Sequence, residues 1–145
     1  MSDHIQPIEL PGAEVPENMP YYPAIVMNSG KIVFLAGVGA GPVYHSHPHR
    51  DEEFADIPTD AAGQARNAME NLTRSIEAAG GTLNDIVFVH RFFTDMDNDQ
   101  DEVNRVTREY FGNHRPTSAT VGVTTLVHPS LRFEINAIAV IPDHR

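Results

Sequence analysis

The sequence predicts an α+β domain of order ββαβαββ, a mixed sheet carrying both helices on one face. Two observations point there: two segments whose apolar residues recur at helical spacing between helix-capping residues, and β-branched or alternating runs on either side of each.

The start of the chain carries Pro7, Pro11, Pro16 and Pro20. Each proline pushes its predecessor out of helical geometry. Residues 1–19 are therefore expected to form an extended arm, and residues 20–145 one domain. "YPAIVMNSGKIVFLAG" then supplies two β-branched runs around "NSGK", the composition of a hairpin turn. Ala65, Met69, Leu72, Ile76 and Ala79 follow at spacings of four and three before Gly80 and Gly81. This spacing predicts a first helix, with Thr59 or Asp60 as N-cap and the glycine pair as C-terminal cap.

"DIVFVHRFF" is too short and too β-branched for a helix and reads as a central strand. "DMDNDQDEVNRVTREYFG" opens with aspartates, which suit the positive end of a helix, and places Val103, Val106 and Tyr110 on one side before Gly112. "SATVGVTTLV" and "LRFEINAIAVI" are the closing strands. In the last, Phe133, Ile135, Ala137, Ala139 and Ile141 alternate with Glu134, Asn136, Ile138 and Val140.

Composition narrows the function. The chain has 145 residues, 41% of them apolar, enough to bury a core. A formal charge of -10 repels polyphosphate and argues against nucleic acid as a partner. No apolar run is long enough for a bilayer and no signal-peptide layout is present, so a cytoplasmic protein without membrane partners is expected. With 0 cysteines, chemistry must come from oxygen and imidazole groups.

Three segments invite a functional reading. "VYHSHPHRDEEF" places His45, His47 and His49 at alternate positions before Asp51, Glu52 and Glu53. Gly39, His45, His47 and Glu52 follow the first half of a cupin metal motif, but Thr59 stands where its closing glycine belongs and no second half follows. A solvated loop and a substrate-facing loop both remain open, with no resident metal or cofactor expected and nickel or zinc capture confined to the test tube. "GVGAG" lacks the third glycine position and the following helix of a dinucleotide fingerprint. Glu134, flanked by apolar residues, is either on an exposed sheet face or in a setting that perturbs its ionisation. Asn104 reads as a solvent-facing helix residue or a site residue. Arg91, a cation inside a central strand, needs an anion, either a ligand's or that of a subunit-interface ion pair.

Taken together, "KIVFLAG", "QARNAMENLTRSIEAAGGTLNDIV", "FFTDM", "VNRVTREYFGNHRP" and "EINAIAV" resemble the Rid (YjgF-type) family over roughly Pro20 to Val140. The resemblance implies a chorismate-mutase-like α+β fold, a homotrimer with clefts between subunits, and hydrolysis of small enamines or imines to a carbonyl product and ammonia. It carries the catalytic set over to Glu134, which would position water, Asn104, and Tyr21, with Tyr22 as the near alternative. Gly37, the glycine of the second strand, and Thr120 join the substrate-binding set. Three positions depart from the family: Ala36 replaces a serine, Ser118 replaces the arginine that clamps the substrate carboxylate, and Thr120 sits where a cysteine or another small residue is usual. A neutral Ser118 gives up about 1.5–3 kcal/mol for each charge-assisted bond. The expectation is that Arg91 or one of His45, His47 and His49 takes over the clamp and redirects the site to another small acid, such as an aminomuconate. The alternative is a trimer that binds a small molecule or regulates without chemistry. A ribonuclease role ranks last, since a trimer carries three times -10, or -30.

Overall fold

The computed structural model describes residues 4–12 and 19–144. Its strands are β1 (Ile5–Ile8), β2 (Ala24–Met27), β3 (Lys31–Gly39), β4 (Ile86–Phe93), β5 (Thr117–Gly122) and β6 (Phe133–Ile141), with helices α1 (Ala61–Ala78) and α2 (Met96–Phe111). The main sheet has the order β3-β6-β4-β5, and β1 and β2 form a separate two-stranded sheet. The mixed α+β architecture with two helices is the one expected from the sequence.

The expected β2–β3 hairpin is not formed. β2 pairs antiparallel with β1, Ile5 opposite Met27, and the arm is thus partly a strand; its residues 13–18, with Pro16, lie outside the described residues. Pro7 is tolerated because each strand of a two-stranded sheet is an edge. The amides of Asn28 and Ser29 donate to the His4 carbonyl at 2.8 and 3.4 Å, holding the turn to the arm. Gly30, at φ 109, then turns the chain where a Cβ would lie 2.6 Å from the Ile141 carbonyl. β3 instead pairs along β6, a strand of equal length.

α1 begins at Asp60, whose carboxylate accepts from the Gly63 amide at 2.9 Å. It ends as its glycines foretell: Gly81 N donates to Ile76 O at 3.0 Å and Gly80 N to Glu77 O at 2.9 Å, with Gly80 at φ 92. Its apolar stripe, Ala65, Met69, Leu72 and Ile76, has no solvent exposure and packs on the sheet face made by Phe133, Ile135, Ala137 and Ala139. α2 buries Val103 and Val106 on the same side. Because α2 is the crossover between β4 and β5, those strands run parallel, Arg91 opposite Thr120.

Buried polar side chains tie the loops to this frame. Gln64 donates to the carbonyls of Pro58 and Ser130 at 3.0 and 2.7 Å and accepts from the Arg132 amide at 2.7 Å. Asn71 donates to the carbonyls of Gly39 and Gly41 at 3.0 and 2.9 Å, fixing the exit from β3. Arg132 grips buried Asp99 in the first turn of α2 through two bonds of 2.9 and 2.8 Å. Among the described residues no helix is long and apolar enough to cross a membrane.

Candidate active site

In a strand, successive side chains point to opposite faces. On β4, Arg91 lies opposite Ile135 and therefore faces the helices, while Phe92 lies opposite Glu134 and faces away. Arg91 ends against α2 and β5: its Nη1 donates to Asn104 Oδ1 at 2.7 Å and its Nε to Thr120 Oγ1 at 3.1 Å. The guanidinium also sits 5.5 Å from the centre of the Phe93 ring. Burial lowers its pKa to about 10, so at neutral pH it remains a cation. Among the described residues no carboxylate holds it.

Arg91, Asn104, Thr120, Ser118 and Tyr21 all line one cavity of about 790 Å³. Residues drawn from the segment before β2, a central strand, an edge strand and a helix thus converge, as expected for a site of this kind. His114 lies on the same wall, its Nε2 2.6 Å from the Ile86 carbonyl, and burial lowers its pKa. The rim contributes groups that the sequence reading missed: Asp101, Arg105 and Arg108 of α2, together with Arg115. A signal for them was present, because 101, 104, 105 and 108 share a helical face at spacings of three and four.

Glu134 lies on the other side of the sheet, and neither it nor Gly37, Tyr22, His45, His47 or His49 lines the cavity of the single chain. β3 carries a bulge between Leu35 and Val38, which stand opposite Ala137 and Ile135. The bulge brings Gly37 beside the glutamate: a Cβ there would lie 2.8 Å from Glu134 Oε2. A side chain at position 37 would therefore have to push the Glu134 carboxylate from this position. Glu134 is half-buried, and desolvation raises its pKa. Around it on this open face stand Phe92, His90 and Asn136, with His90 and Phe92 rings 4.3 Å apart. Asn136 Oδ1 is buried with no hydrogen-bond partner among the described residues.

The sequence pattern of the Endoribonuclease L-PSP family matches residues 13–141. The chain belongs to this family, the Rid/YjgF proteins. It is 33% identical to the 3-aminoacrylate deaminase of Acinetobacter baylyi over 132 residues, covering 91% of this chain and 95% of that one. It is 35% identical to a RutC family protein of Pyrococcus horikoshii over 120 residues, 83% of this chain and 86% of the relative. Among solved structures, a YjgF/YER057c/UK114 family member from Mycobacterium tuberculosis superposes with a TM-score of 0.62 at 28% identity, covering 94% of this chain and 99% of that one. A Rid family protein from Yersinia pestis reaches a TM-score of 0.76 at 22% identity, covering 95% and 99%, a likeness of fold alone. The Rid family resemblance drawn from the sequence is thereby upheld.

Proposed function

We propose that this Rid family protein hydrolyses a small acidic enamine or imine, holding the substrate carboxylate with Arg91 and activating water with Glu134. The observation that carries the reading is Arg91: a desolvated cation on a cavity wall, oriented by Asn104 and Thr120 and without a carboxylate partner among the described residues. A buried charge of that kind calls for an anion. It lies opposite Thr120 on the neighbouring strand, two positions from Ser118, where the family's clamping arginine is absent. The deaminase among the relatives supports the reaction class.

Glu134 belongs in the same reaction as a half-buried carboxylate beside Gly37, whose desolvation raises its pKa and so makes it a stronger proton acceptor than an ordinary carboxylate. Hydrolysis adds the oxygen of water to the imine carbon while the carboxylate accepts a proton. The proton returns to nitrogen, the carbon–nitrogen bond breaks, and ammonia leaves with a carbonyl product. In one chain the two groups occupy opposite faces of the sheet. The reading therefore includes a homotrimer in which the open face of one protomer completes the cavity of its neighbour. Support comes from the apolar character of that face, where Phe34 is 77% and Ile32 53% exposed, and from the unpaired Asn136 Oδ1. The -10 charge supports a small-molecule substrate over a polynucleotide.

Ammonia release tests the reading with 3-aminoacrylate, 2-aminoacrylate and 2-aminomuconate, alongside the mass of the assembly by light scattering. Turnover of at least one acid by a trimer is expected. A trimer that binds these acids or their stable analogues without releasing ammonia would establish the alternative, a binding or regulatory protein, which the missing arginine at Ser118 favours.

A further inference from the structure

We propose that His45, His47 and His49 form a site for one divalent transition-metal ion of the zinc class. The spacing by itself suggested a cupin set completed by Glu52. The structure assembles a different one: Glu52 turns to Arg50 at 3.7 Å, and His49 joins the other two imidazoles. One ring nitrogen from each lies within 4.8 Å of the others. Ring centroids are 4.8, 4.9 and 4.9 Å apart. Three nitrogens at tetrahedral zinc distances, about 2.0–2.1 Å from the ion, stand roughly 3.3 Å from one another. The set therefore needs at most about 1.5 Å of closure, within the reach of side-chain rotation.

The surroundings hold the rings in place. His45 Nδ1 lies 3.2 Å from the Pro42 carbonyl, and since a carbonyl only accepts, Nδ1 carries the proton and Nε2 is left for a metal. A ligating histidine typically has this kind of outer partner. The Ser46 amide donates to both carboxylate oxygens of Glu53 at 3.2 and 3.0 Å, pinning the chain between the first two histidines. The Phe54 ring meets His45 and His49 edge-on at 5.5 and 5.8 Å. Phe54 is itself buried against Ala40 and Leu131 and stacks on His128 at 4.3 Å. Asn71, through the Gly41 carbonyl, anchors the segment to α1.

The donors select the ligand. Imidazole nitrogens suit zinc, copper, nickel or cobalt over magnesium or calcium, which take oxygen. His47 and His49 are exposed and His45 half-buried, so an ion held by three rings keeps a position open to solvent for water or an anionic oxygen ligand. The acidic chain, at -10, favours cations in general. The site is separate from the Arg91 cavity and does not depend on the deaminase reading.

The test is Zn²⁺ binding by the full chain, purified without an affinity tag, in competition with a chromophoric chelator, together with amide exchange of residues 43–54. One zinc per chain is expected, with slower exchange in that segment. His45→Ala, His47→Ala and His49→Ala should each weaken binding by about 10–100-fold or more, the range that loss of an outer partner alone can reach. His144→Ala, at the exposed end of the chain, should leave it unchanged. The triple variant, its fold verified by circular dichroism, should show no zinc-dependent protection. Binding and protection in the triple variant equal to the native chain, or no zinc bound by the native chain against the chelator, overturns the proposal.

Discussion

The two faces of the sheet differ in kind. The face under the helices buries its apolar core within one chain: Leu72, Ile76, Phe133 and Ile135 have no exposure, and Arg91, at the cavity beside that core, is oriented by Asn104 and Thr120. The opposite face is left open, with Phe34 and Ile32 in solvent and Glu134 lying against the Gly37 bulge. The contrast shows that the candidate anion-binding and water-activating groups, only one residue out of register across β4 and β6, cannot meet inside a single chain. The two-residue period of a strand assigns them to opposite sides.

The proposed trimer would reunite them, and charging its interface should have the largest effect. Phe34→Asp puts a charge on the exposed apolar face, at its edge strand β3; light scattering should give monomers, and ammonia release should fall to background. If the variant stays assembled and active, the open face is not where subunits meet. Next in size, Glu134→Gln should lower kcat by about 10²–10⁴-fold, the usual contribution of general acid–base catalysis, while leaving ligand binding intact. Loss of binding with unchanged kcat would assign the glutamate a different role. Arg91→Met should cost about 1.5–3 kcal/mol of substrate binding for each charge-assisted bond lost, roughly a 10–100-fold drop in kcat/KM. Its penalty should vanish for an analogue without the carboxylate, and an equal penalty for both analogues would remove Arg91 from the clamp.

The smallest effect is one of stability. Burial raises the Glu134 pKa from its ordinary 4.5, so the folded chain holds that proton more tightly than the unfolded one. The stabilising contribution is complete below the unfolded value and disappears as the pH rises through the raised folded value. Glu134→Gln should therefore gain stability relative to the native chain between pH 4 and pH 8 in urea unfolding. A constant difference across that range would show the carboxylate to be as well solvated folded as unfolded.

Much of the fold was legible because its signals are local. Asp60, the Ala65 to Ile76 stripe and the Gly80–Gly81 ending specify α1 within about twenty consecutive residues, and the alternation from Phe133 to Ile141 declares which side of β6 is buried. The N-terminal hairpin was misread for the same reason: "NSGK" describes a turn but says nothing about which strand lies beyond it, and β6 competes for β3 from a hundred residues away. In the candidate site, Arg91 announced itself as a cation among apolar neighbours. Its partners Asn104 and Thr120 and the rim of α2 come together only through the β4–α2–β5 crossover.

By itself the sequence determined the element types, the family, the want of thiol chemistry and the presence of a strand cation in need of an anion, because periodicity, capping and residue chemistry act over a few neighbouring positions. Only the tertiary structure decided that β1 takes β2, that Glu134 and Arg91 part to opposite faces, and that three alternate histidines converge where Glu52 does not. Those outcomes depend on strand register and on the packing of distant residues such as Asn71 and Phe54, which no local pattern encodes.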